Sequence, residues 1–337
     1  MAGCQSQDLT IPEPTEASSL PPEATLPATP SSQPATVVGP TPAVQPTPTI
    51  AQTNPTPTIS SSGTGNTSPY MVVARGPDPE ELVRQGMSAM GGMETYVKKG
   101  ARVIIKPNIC VAYASYENAY TTNPWVVGAL VKLCFEAGAG SVRVMDSPFN
   151  GTAAAAYKKS SIEAQVLENG GEMVQMTGYK YISTPIPLGV EIKDIGIYDE
   201  ILKADTLINV PIAKHHSLAR LTIAMKNLLG IVDNRTNFHP NFVQRLPDLS
   251  TIVKPTLNVV DAVRILMKNG PASGTLDDVK KLDTIIITPD IVAADAYATT
   301  LFGREPDDLR YVSVGAERNI GRMDINNLKI TEINVGG

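Results

Sequence analysis

The chain has 337 residues and a mass of 35.8 kDa, and 42% of its residues are hydrophobic, which excludes wholesale disorder. A net charge of −5 gives no general attraction to nucleic acid or to anionic lipid. Three cysteines exclude a disulfide scaffold, a four-cysteine zinc site and an intrinsic four-cysteine iron–sulfur cluster. The sequence contains no apolar run of about 18 residues, the length that a membrane-spanning helix needs.

Residues 1–69 differ sharply in composition from the rest of the chain. They contain 14 of the 28 prolines, no Lys, no Arg and no aromatic residue, and they are rich in Thr, Ser and Ala. Such a segment buries too little apolar surface to offset the entropy cost of ordering it. We therefore predict a disordered Pro/Thr/Ser-rich tether over residues 1–69 and a folded domain over residues 70–337.

The first residues suggest what the tether is attached to. Met1-Ala2-Gly3-Cys4 places small residues directly before a cysteine, and a polar stretch follows. This arrangement resembles the end of a bacterial lipoprotein signal, in which the cysteine is lipidated, although the charged and apolar parts of a signal are missing from the sequence as given. The alternative is an ordinary cytosolic N-terminus with a chance cysteine. We expect an extracytoplasmic protein of the cell envelope, lipidated at Cys4 and in contact with the membrane only through that anchor.

From residue 70 onward, apolar strand patterns alternate with helix patterns, which predicts an α/β fold with a mostly parallel sheet and helices on both faces. The predicted strands are residues 71–74, 102–105, 142–145, 206–210, 257–260 and 284–287. The predicted helices are one from residue 78 and those over residues 123–135, 161–168, 217–229 and 291–302. No phosphate-binding glycine motif and no Gly-x-Ser-x-Gly motif follows a strand, so a P-loop NTPase, a Rossmann dehydrogenase and an α/β-hydrolase are disfavoured.

Polar side chains follow four of the predicted strands. These are Lys106 and Asn108, then Asp146 and Ser147, then Lys214 with two histidines, and finally Asp261. In open α/β sheets, ligands bind beyond the carboxyl ends of the strands, so the pattern predicts one polar cleft there. The alternative is that these residues only cap helices and satisfy turns.

All three histidines fall within 25 residues of one another. Neutral imidazole serves as a base or a metal ligand, so His216 is the candidate proton-transfer residue, and His215, His239 and Asp261 are candidate ligands of a divalent metal. No regular metal-binding spacing supports the second idea. Lys226 lies ten residues after His216, about 15 Å along a continuous helix, so the two share a site only if the helix bends or begins later, or if a substrate bridges them.

The ordered series of motifs resembles the uncharacterised family called domain of unknown function 362. The matching segments are residues 103–108, 121–124, 144–148, 207–211, 224–230, 258–262, 269–274 and 292–296, with Lys214 and His216. The resemblance covers about residues 70–315 and implies an α/β fold. It carries the family's site positions, without chemical roles, onto Lys106, Asn108, Asp146, His216, Lys226, Asn227 and Asp261.

Many members of that family resemble redox-associated proteins with a ferredoxin-like module or an export signal. This sequence has no Cys-x-x-Cys motif, so an electron-transfer role would require a redox partner. Our first functional hypothesis is an enzyme acting on a small anionic molecule, a carboxylate or a phosphate. Lys106, Lys214 and Lys226 would hold the anion, Asn108, Asn227 and Ser147 would orient it, and His216, Lys226 and Asp146 would carry the catalysis. The alternatives are a binding or assembly protein for a metal or cofactor, and a structural module of the cell surface.

Overall fold

The computed structural model of the chain describes residues 69–336. The predicted tether and Cys4 therefore lie outside the described residues, apart from residue 69.

Among the described residues, ten strands form a mostly parallel sheet. Eight of them follow the order β12, β1, β11, β10, β7, β2, β3, β4, and β8 pairs with both β10 and β9. The remaining two strands, β5 and β6, form a separate antiparallel ribbon. The strands are β1 (Met71–Arg75), β2 (Arg102–Pro107), β3 (Ser141–Val144), β4 (Glu172–Met173), β5 (Tyr181–Pro185), β6 (Asp194–Tyr198), β7 (Thr206–Val210), β8 (Ile212–His216), β9 (Arg220–Thr222), β10 (Leu257–Leu266), β11 (Val279–Thr288) and β12 (Ile330–Asn334).

Helices cover both faces of the sheet, which confirms the predicted fold class. Val103 and Ile105 of β2 point into one apolar core, and Ile104 between them points into the other, as the two-residue period of a strand requires. One core packs α1, α2, α3 and α4, and the other packs α6, α7, α8 and α9. The helices are α1 (Pro79–Ala89), α2 (Pro124–Glu136), α3 (Ala153–Lys159), α4 (Ile162–Glu168), α5 (Asp199–Lys203), α6 (Ala224–Asn227), α7 (Phe242–Ser250), α8 (Ile291–Thr300) and α9 (Arg310–Glu317).

The helix starts that the sequence marks clearly are where we expected them. Asp78 caps α1 by accepting from the backbone N–H groups of residues 80 and 81, and Asn123 caps α2 by accepting from that of residue 125. In both helices a proline occupies the first position, where its missing N–H costs nothing.

The predicted helix over residues 217–229 is wrong. Lys214 and His216 lie inside β8, and the chain then turns back through β9, so that His216 pairs with Arg220. The helix α6 begins only at Ala224. Because a hairpin and not a continuous helix joins them, His216 and Lys226 come to the same place without any bend or bridging ligand. The predicted exit at Asp261 is also wrong, since β10 continues through it to Leu266.

A buried carboxyl group holds the start of α6. Asp295 of α8 accepts hydrogen bonds from the backbone N–H groups of Ala224 and Met225, at the two positions before Lys226. Burial, together with the charge of Asp290, raises the pKa of Asp295 to about 8, and the two hydrogen bonds oppose this shift. The position of α6 therefore depends on a carboxyl group with little access to water.

We expect the stability of the protein to depend on the ionisation of Asp295. Because the pKa of the Asp295 carboxyl is higher in the folded state than in the unfolded state, its contribution to the stability of the fold is complete at pH values below its unfolded-state pKa. That contribution is lost as the pH rises toward about 8. The free energy of unfolding of Asp295→Asn, relative to wild type, should therefore increase from pH 5 to pH 8, by at most about 1.4 kcal/mol per pH unit. Urea denaturation of both proteins across this range measures the difference, and a difference that is constant with pH would contradict the assignment.

Candidate active site

A pocket of about 220 Å³ lies at the carboxyl ends of β2 and β3, beside β8. All eight residues that we predicted to be catalytic or substrate-binding line it: Lys106, Asn108, Asp146, Ser147, Lys214, His216, Lys226 and Asn227. His239 also lines the pocket, and Asp261 and His215 do not. A separate cavity of about 430 Å³ between α1 and α2 contains none of these residues.

An ion pair forms the floor of the pocket. Lys106 Nζ lies 2.9 Å from Asp146 Oδ1, and the two side chains are only 1% and 3% exposed. The other oxygen of Asp146 accepts a hydrogen bond of 2.6 Å from the backbone N–H of Ile109. Burial lowers the pKa of Lys106, and the charge of Asp146 opposes that shift. Lys106 is therefore already paired with a carboxylate before any ligand binds.

Asn227 positions the floor of the pocket and has no hydrogen-bonding capacity left for a substrate. Its Oδ1 accepts from Lys106 Nζ and Asn108 Nδ2, both at 2.9 Å. Its Nδ2 donates to Asn209 Oδ1 at 2.8 Å and to the backbone oxygen of Lys106 at 3.3 Å. Two accepted and two donated hydrogen bonds use both lone pairs of the carboxamide oxygen and both of its N–H donors. The geometry thus favours a positioning role for Asn227 over the predicted contact with substrate.

Gly230 covers the ion pair at a distance that no larger residue allows. A Cβ atom at this position would lie 1.8 Å from Asp146 Oδ1 and 2.7 Å from Lys106 Nζ. The backbone oxygen of Gly230 also accepts from the N–H of Ser147. The segment after α6 and the segment after β3 therefore meet through this glycine.

Three further cations face the pocket, and none of them has a carboxylate partner among the described residues. Lys214 Nζ donates to Asn108 Oδ1 at 3.0 Å and to the backbone oxygen of Tyr120 at 2.5 Å. Arg235 donates to Ser147 Oγ at 2.8 Å and to two backbone oxygens. Lys226 makes no hydrogen bond or ion pair to the described part of the chain. Since Asp146 is the lone carboxylate of the pocket lining, the pocket has a surplus of positive charge.

Three of the titratable groups lie around the ring of Phe242, at the start of α7. Lys226 Nζ lies 5.1 Å from the centre of its ring, and the rings of His216 and His239 lie 6.1 and 5.5 Å away, centre to centre. Burial lowers the pKa of Lys226 to about 7, and the nearby charge of Lys214 adds to the effect. Lys226 thus exchanges its proton in the physiological range, which an exposed lysine does not do.

His216 is held as a neutral hydrogen-bond donor. Its Nδ1 accepts from the backbone N–H groups of Leu218 and Ala219 at 3.1 and 3.2 Å, which places the ring proton on Nε2. Burial, together with the charges of Lys226 and Lys214, lowers the pKa of His216 to about 2. The ring therefore stays uncharged at neutral pH. This arrangement favours donation from Nε2–H over the proton transfer that we predicted for His216, and it leaves Lys226 as the better proton acceptor.

The three candidate metal ligands are not brought together. Asp261 is fully buried and accepts from the backbone N–H groups of Asn123 and Val263, and burial raises its pKa to about 6. His215 Nδ1 accepts from the N–H of Gly270. Over the described range, no group of three or more His, Cys, Asp or Glu side chains is placed to hold a metal ion. The structure therefore does not bring Asp261, His215 and His239 together, because Asp261 and His215 accept backbone N–H groups outside the pocket that His239 lines.

Sequence reasoning did not assign a role to four residues of the site. Arg235, Thr222 and Gly230 line the pocket, and Phe242 packs behind Lys226. The hydroxyl of Thr222 is buried and has no hydrogen-bond partner in the described residues. Arg235 lies close to the histidines in sequence, and this proximity could have indicated that it belongs to the site. No local pattern marks the other three, because their importance comes from contacts across the fold.

The structure thus defines an α/β protein with a cationic pocket at the carboxyl edge of its sheet. The chain belongs to the family described as a domain of unknown function, DUF362, which matches residues 103–300. A thylakoid-associated protein of Synechocystis sp. is 26% identical over 233 residues, which cover 66% of this chain and 70% of that protein.

Similarity to solved structures is more distant. The lactate racemase apoprotein from Thermoanaerobacterium thermosaccharolyticum is 11% identical at a TM-score of 0.38, over 63% of this chain and 53% of that chain. A protein from Thermotoga maritima is 12% identical at a TM-score of 0.37, over 68% of this chain and 60% of that chain. The chain therefore spans little more than half the length of these structures, and the likeness supports no inference about its activity. Within residues 69–336, no helix is long and apolar enough to cross a membrane.

We expect Gly230→Ala to disrupt the floor of the pocket. The added methyl group would displace Asp146 from Lys106, and breaking a buried ion pair costs about 3 kcal/mol or more. Gly178→Ala is the matched control, because a Cβ there meets nothing within 4 Å, and it should change stability by less than about 0.5 kcal/mol. Urea denaturation of the two variants provides the comparison, and equal stability would contradict the close approach at Gly230.

Proposed function

We propose that this protein is an enzyme that acts on a small anionic molecule, a carboxylate or a phosphate, bound in the pocket at the strand ends. The observation that carries the proposal is the surplus of cations. Lys214, Lys226 and Arg235 face one cavity, and the carboxylate of that cavity is already paired with Lys106. Gathering like charges away from water is unfavourable unless an anion compensates them. An anionic ligand supplies that compensation.

The size of the pocket favours a small ligand. A volume of about 220 Å³ is below the range of typical drug-sized sites, so the cavity accommodates a compact anion and not a polymer. Arg235 and Lys214 each place a positive charge at this cavity, and a carboxylate or a phosphate compensates such charges. Because neutral acceptors hold both side chains, they are oriented before the ligand arrives.

Two groups are suited to chemistry on the bound anion. Lys226 has a pKa of about 7, and a group whose pKa lies near the working pH both accepts and returns a proton readily. His216 is neutral and offers Nε2–H as a fixed donor to a substrate oxygen. The pair therefore fits a reaction in which a proton moves at Lys226 while charge develops on an oxygen near His216.

Anion binding tests this proposal directly. We expect wild type to bind sulfate and pyruvate, whose charges do not change between pH 6 and 8. Lys214→Ala and Arg235→Ala should each weaken this binding about 10-fold or more. The reason is that a hydrogen bond to a charged group contributes about 1.5–3 kcal/mol. Lys254→Ala removes an exposed lysine that does not line the pocket, and it should leave binding unchanged. Isothermal titration calorimetry measures these affinities. Undetectable binding, or equal losses in all three variants, would refute the proposal.

Lys226 should make anion binding depend on pH. Its ammonium form attracts the anion and is lost as the pH rises through about 7, so the affinity of wild type for sulfate should fall from pH 6 to pH 8. In Lys226→Met this dependence should largely disappear, because burial is the largest cause of the lowered pKa values of His216 and His239, and burial remains when the charge of Lys226 is removed. Calorimetric titrations at the two pH values compare the proteins, and the same pH dependence in both would exclude Lys226 as the titrating group.

We also propose that the protein is extracytoplasmic, in a bacterial cell envelope, and lipid-anchored through Cys4. Two observations support this location. The small residues before Cys4 and the Pro/Thr/Ser-rich segment after it match the end of a lipoprotein signal, and the Synechocystis relative is thylakoid-associated.

Expression with a complete lipoprotein signal tests the anchor. Wild type should partition into the membrane fraction, because lipoproteins carry more than one acyl chain and several chains anchor a protein stably. Cys4→Ser should move to the soluble fraction, because it loses these chains and no helix within residues 69–336 could cross the membrane. Cys110→Ser serves as the control, since Cys110 is buried. Identical partitioning of wild type and Cys4→Ser would contradict the anchor.

A further inference from the structure

We propose that Lys226 forms a covalent imine with the carbonyl carbon of its substrate, so that the pocket takes small aldehydes or ketones that carry a carboxylate or a phosphate. This inference rests on the proposed function, since the cations that bind the anion would also hold the carbonyl group against Lys226. It adds a substrate class and a covalent step to that function.

The first argument is the lack of an acceptor at Lys226. Lys106 is paired with Asp146, and Lys214 donates to Asn108 and Tyr120, so the Nζ atoms of both are engaged by acceptors. Within the described residues, Lys226 Nζ has no hydrogen-bond acceptor and no carboxylate, and it meets only the face of Phe242. An amine must have a free lone pair to attack a carbonyl carbon. Of the three lysines in the pocket, Lys226 is the one whose surroundings leave that lone pair available.

The second argument is the charge around Lys226. Lys214, Arg235 and Lys106 disfavour its ammonium form, and so does its burial, whereas Cys110 acts in the opposite direction. His216 and His239 complete its charged and titratable neighbours, and both are neutral at pH 7 because their pKa values are lowered. With a pKa of about 7, roughly half of Lys226 is free amine at neutral pH. A lysine activated by neighbouring cations is a known route to imine chemistry.

The third argument is the set of groups around the position of the carbonyl. Lys214 and Arg235 bind the anionic end of the substrate. His216 presents Nε2–H, and the buried hydroxyl of Thr222, which also lines the pocket, has no partner in the described residues. Nε2–H of His216 is a donor suited to a carbonyl oxygen as it gains negative charge.

The covalent step is balanced without any further reactant. The lone pair of Lys226 Nζ attacks the carbonyl carbon, an N–C bond forms, and the electron pair of the C=O double bond moves to oxygen. A proton passes from nitrogen to that oxygen to give a carbinolamine. The C–O bond then breaks, the oxygen leaves as water with a second proton from nitrogen, and the C=N bond forms. Amine and carbonyl become imine and water, and nothing is oxidised or reduced.

Reductive trapping tests the inference on the full chain. Wild type is incubated at pH 7 with pyruvate and sodium cyanoborohydride, which reduces an imine to a stable secondary amine, and the adduct is located by intact mass and peptide mapping. We expect a single 1-carboxyethyl adduct on Lys226 Nζ, formed about 10-fold or more faster than at Lys254, an exposed lysine in the same molecule. The rate at Lys226 relative to Lys254 should fall from pH 7 to pH 10, where an ordinary lysine also loses its proton.

Lys226→Arg separates covalent chemistry from charge. A guanidinium keeps the cation but forms no imine, so this variant should bind sulfate and yield no adduct in the pocket. If wild type binds pyruvate but Lys226 is modified no faster than Lys254, the imine is refuted and the anion-binding proposal stands. If neither binding nor an adduct is found, both proposals fail. Modification at Lys214 or Lys106 in place of Lys226 would also overturn the inference.

Discussion

The ion pair between Lys106 and Asp146 is the contact on which the rest of the pocket depends. Two charges this far from water are stable only when their geometry is good and their remaining donors and acceptors are satisfied. Here Ile109 donates to Asp146, Asn227 accepts from Lys106, and Gly230 allows the backbone to close over both. These contacts join β2 to the segment after β3 and to the segment after α6. Three parts of the chain that are distant in sequence are therefore fixed relative to one another by one pair of charges.

Pairing Lys106 with the lone carboxylate of the pocket lining determines the electrostatics of the remaining site. Lys214 and Arg235 are held by neutral oxygens, which orient a cation without cancelling its charge. Burial, together with repulsion from these cations, lowers the pKa of the least constrained neighbour, Lys226, to about 7, and it keeps His216 neutral. The same arrangement that attracts an anion thus also prepares an amine for proton transfer or nucleophilic attack.

The sequence allowed the sheet to be predicted because its strands are continuous apolar runs and its helix starts have clear caps. The side chains of Lys106 and Asp146 could be placed at one edge for the same reason, since parallel neighbouring strands end together. The segment over residues 217–229 was mispredicted because its apolar spacing also fits a helix, whereas pairing of β8 with β9 and with β10 decides the structure. Neither Phe242 behind Lys226 nor the close approach at Gly230 was predictable, because each depends on contacts between distant segments.

Buried carboxylates elsewhere in the domain explain why the pocket is left with excess positive charge. Asp261 accepts from the backbone N–H of Asn123 at the start of α2, Asp295 accepts from two N–H groups at the start of α6, and Asp248 accepts from those of residues 190–192. Each of these acids holds a turn or a helix start in place and lies outside the lining of the pocket. The acids therefore stabilise the backbone and the bases concentrate at the strand ends. A nearly neutral domain can in this way present a strongly cationic cavity, and its selectivity for an anion follows from where its charges lie and not from their sum.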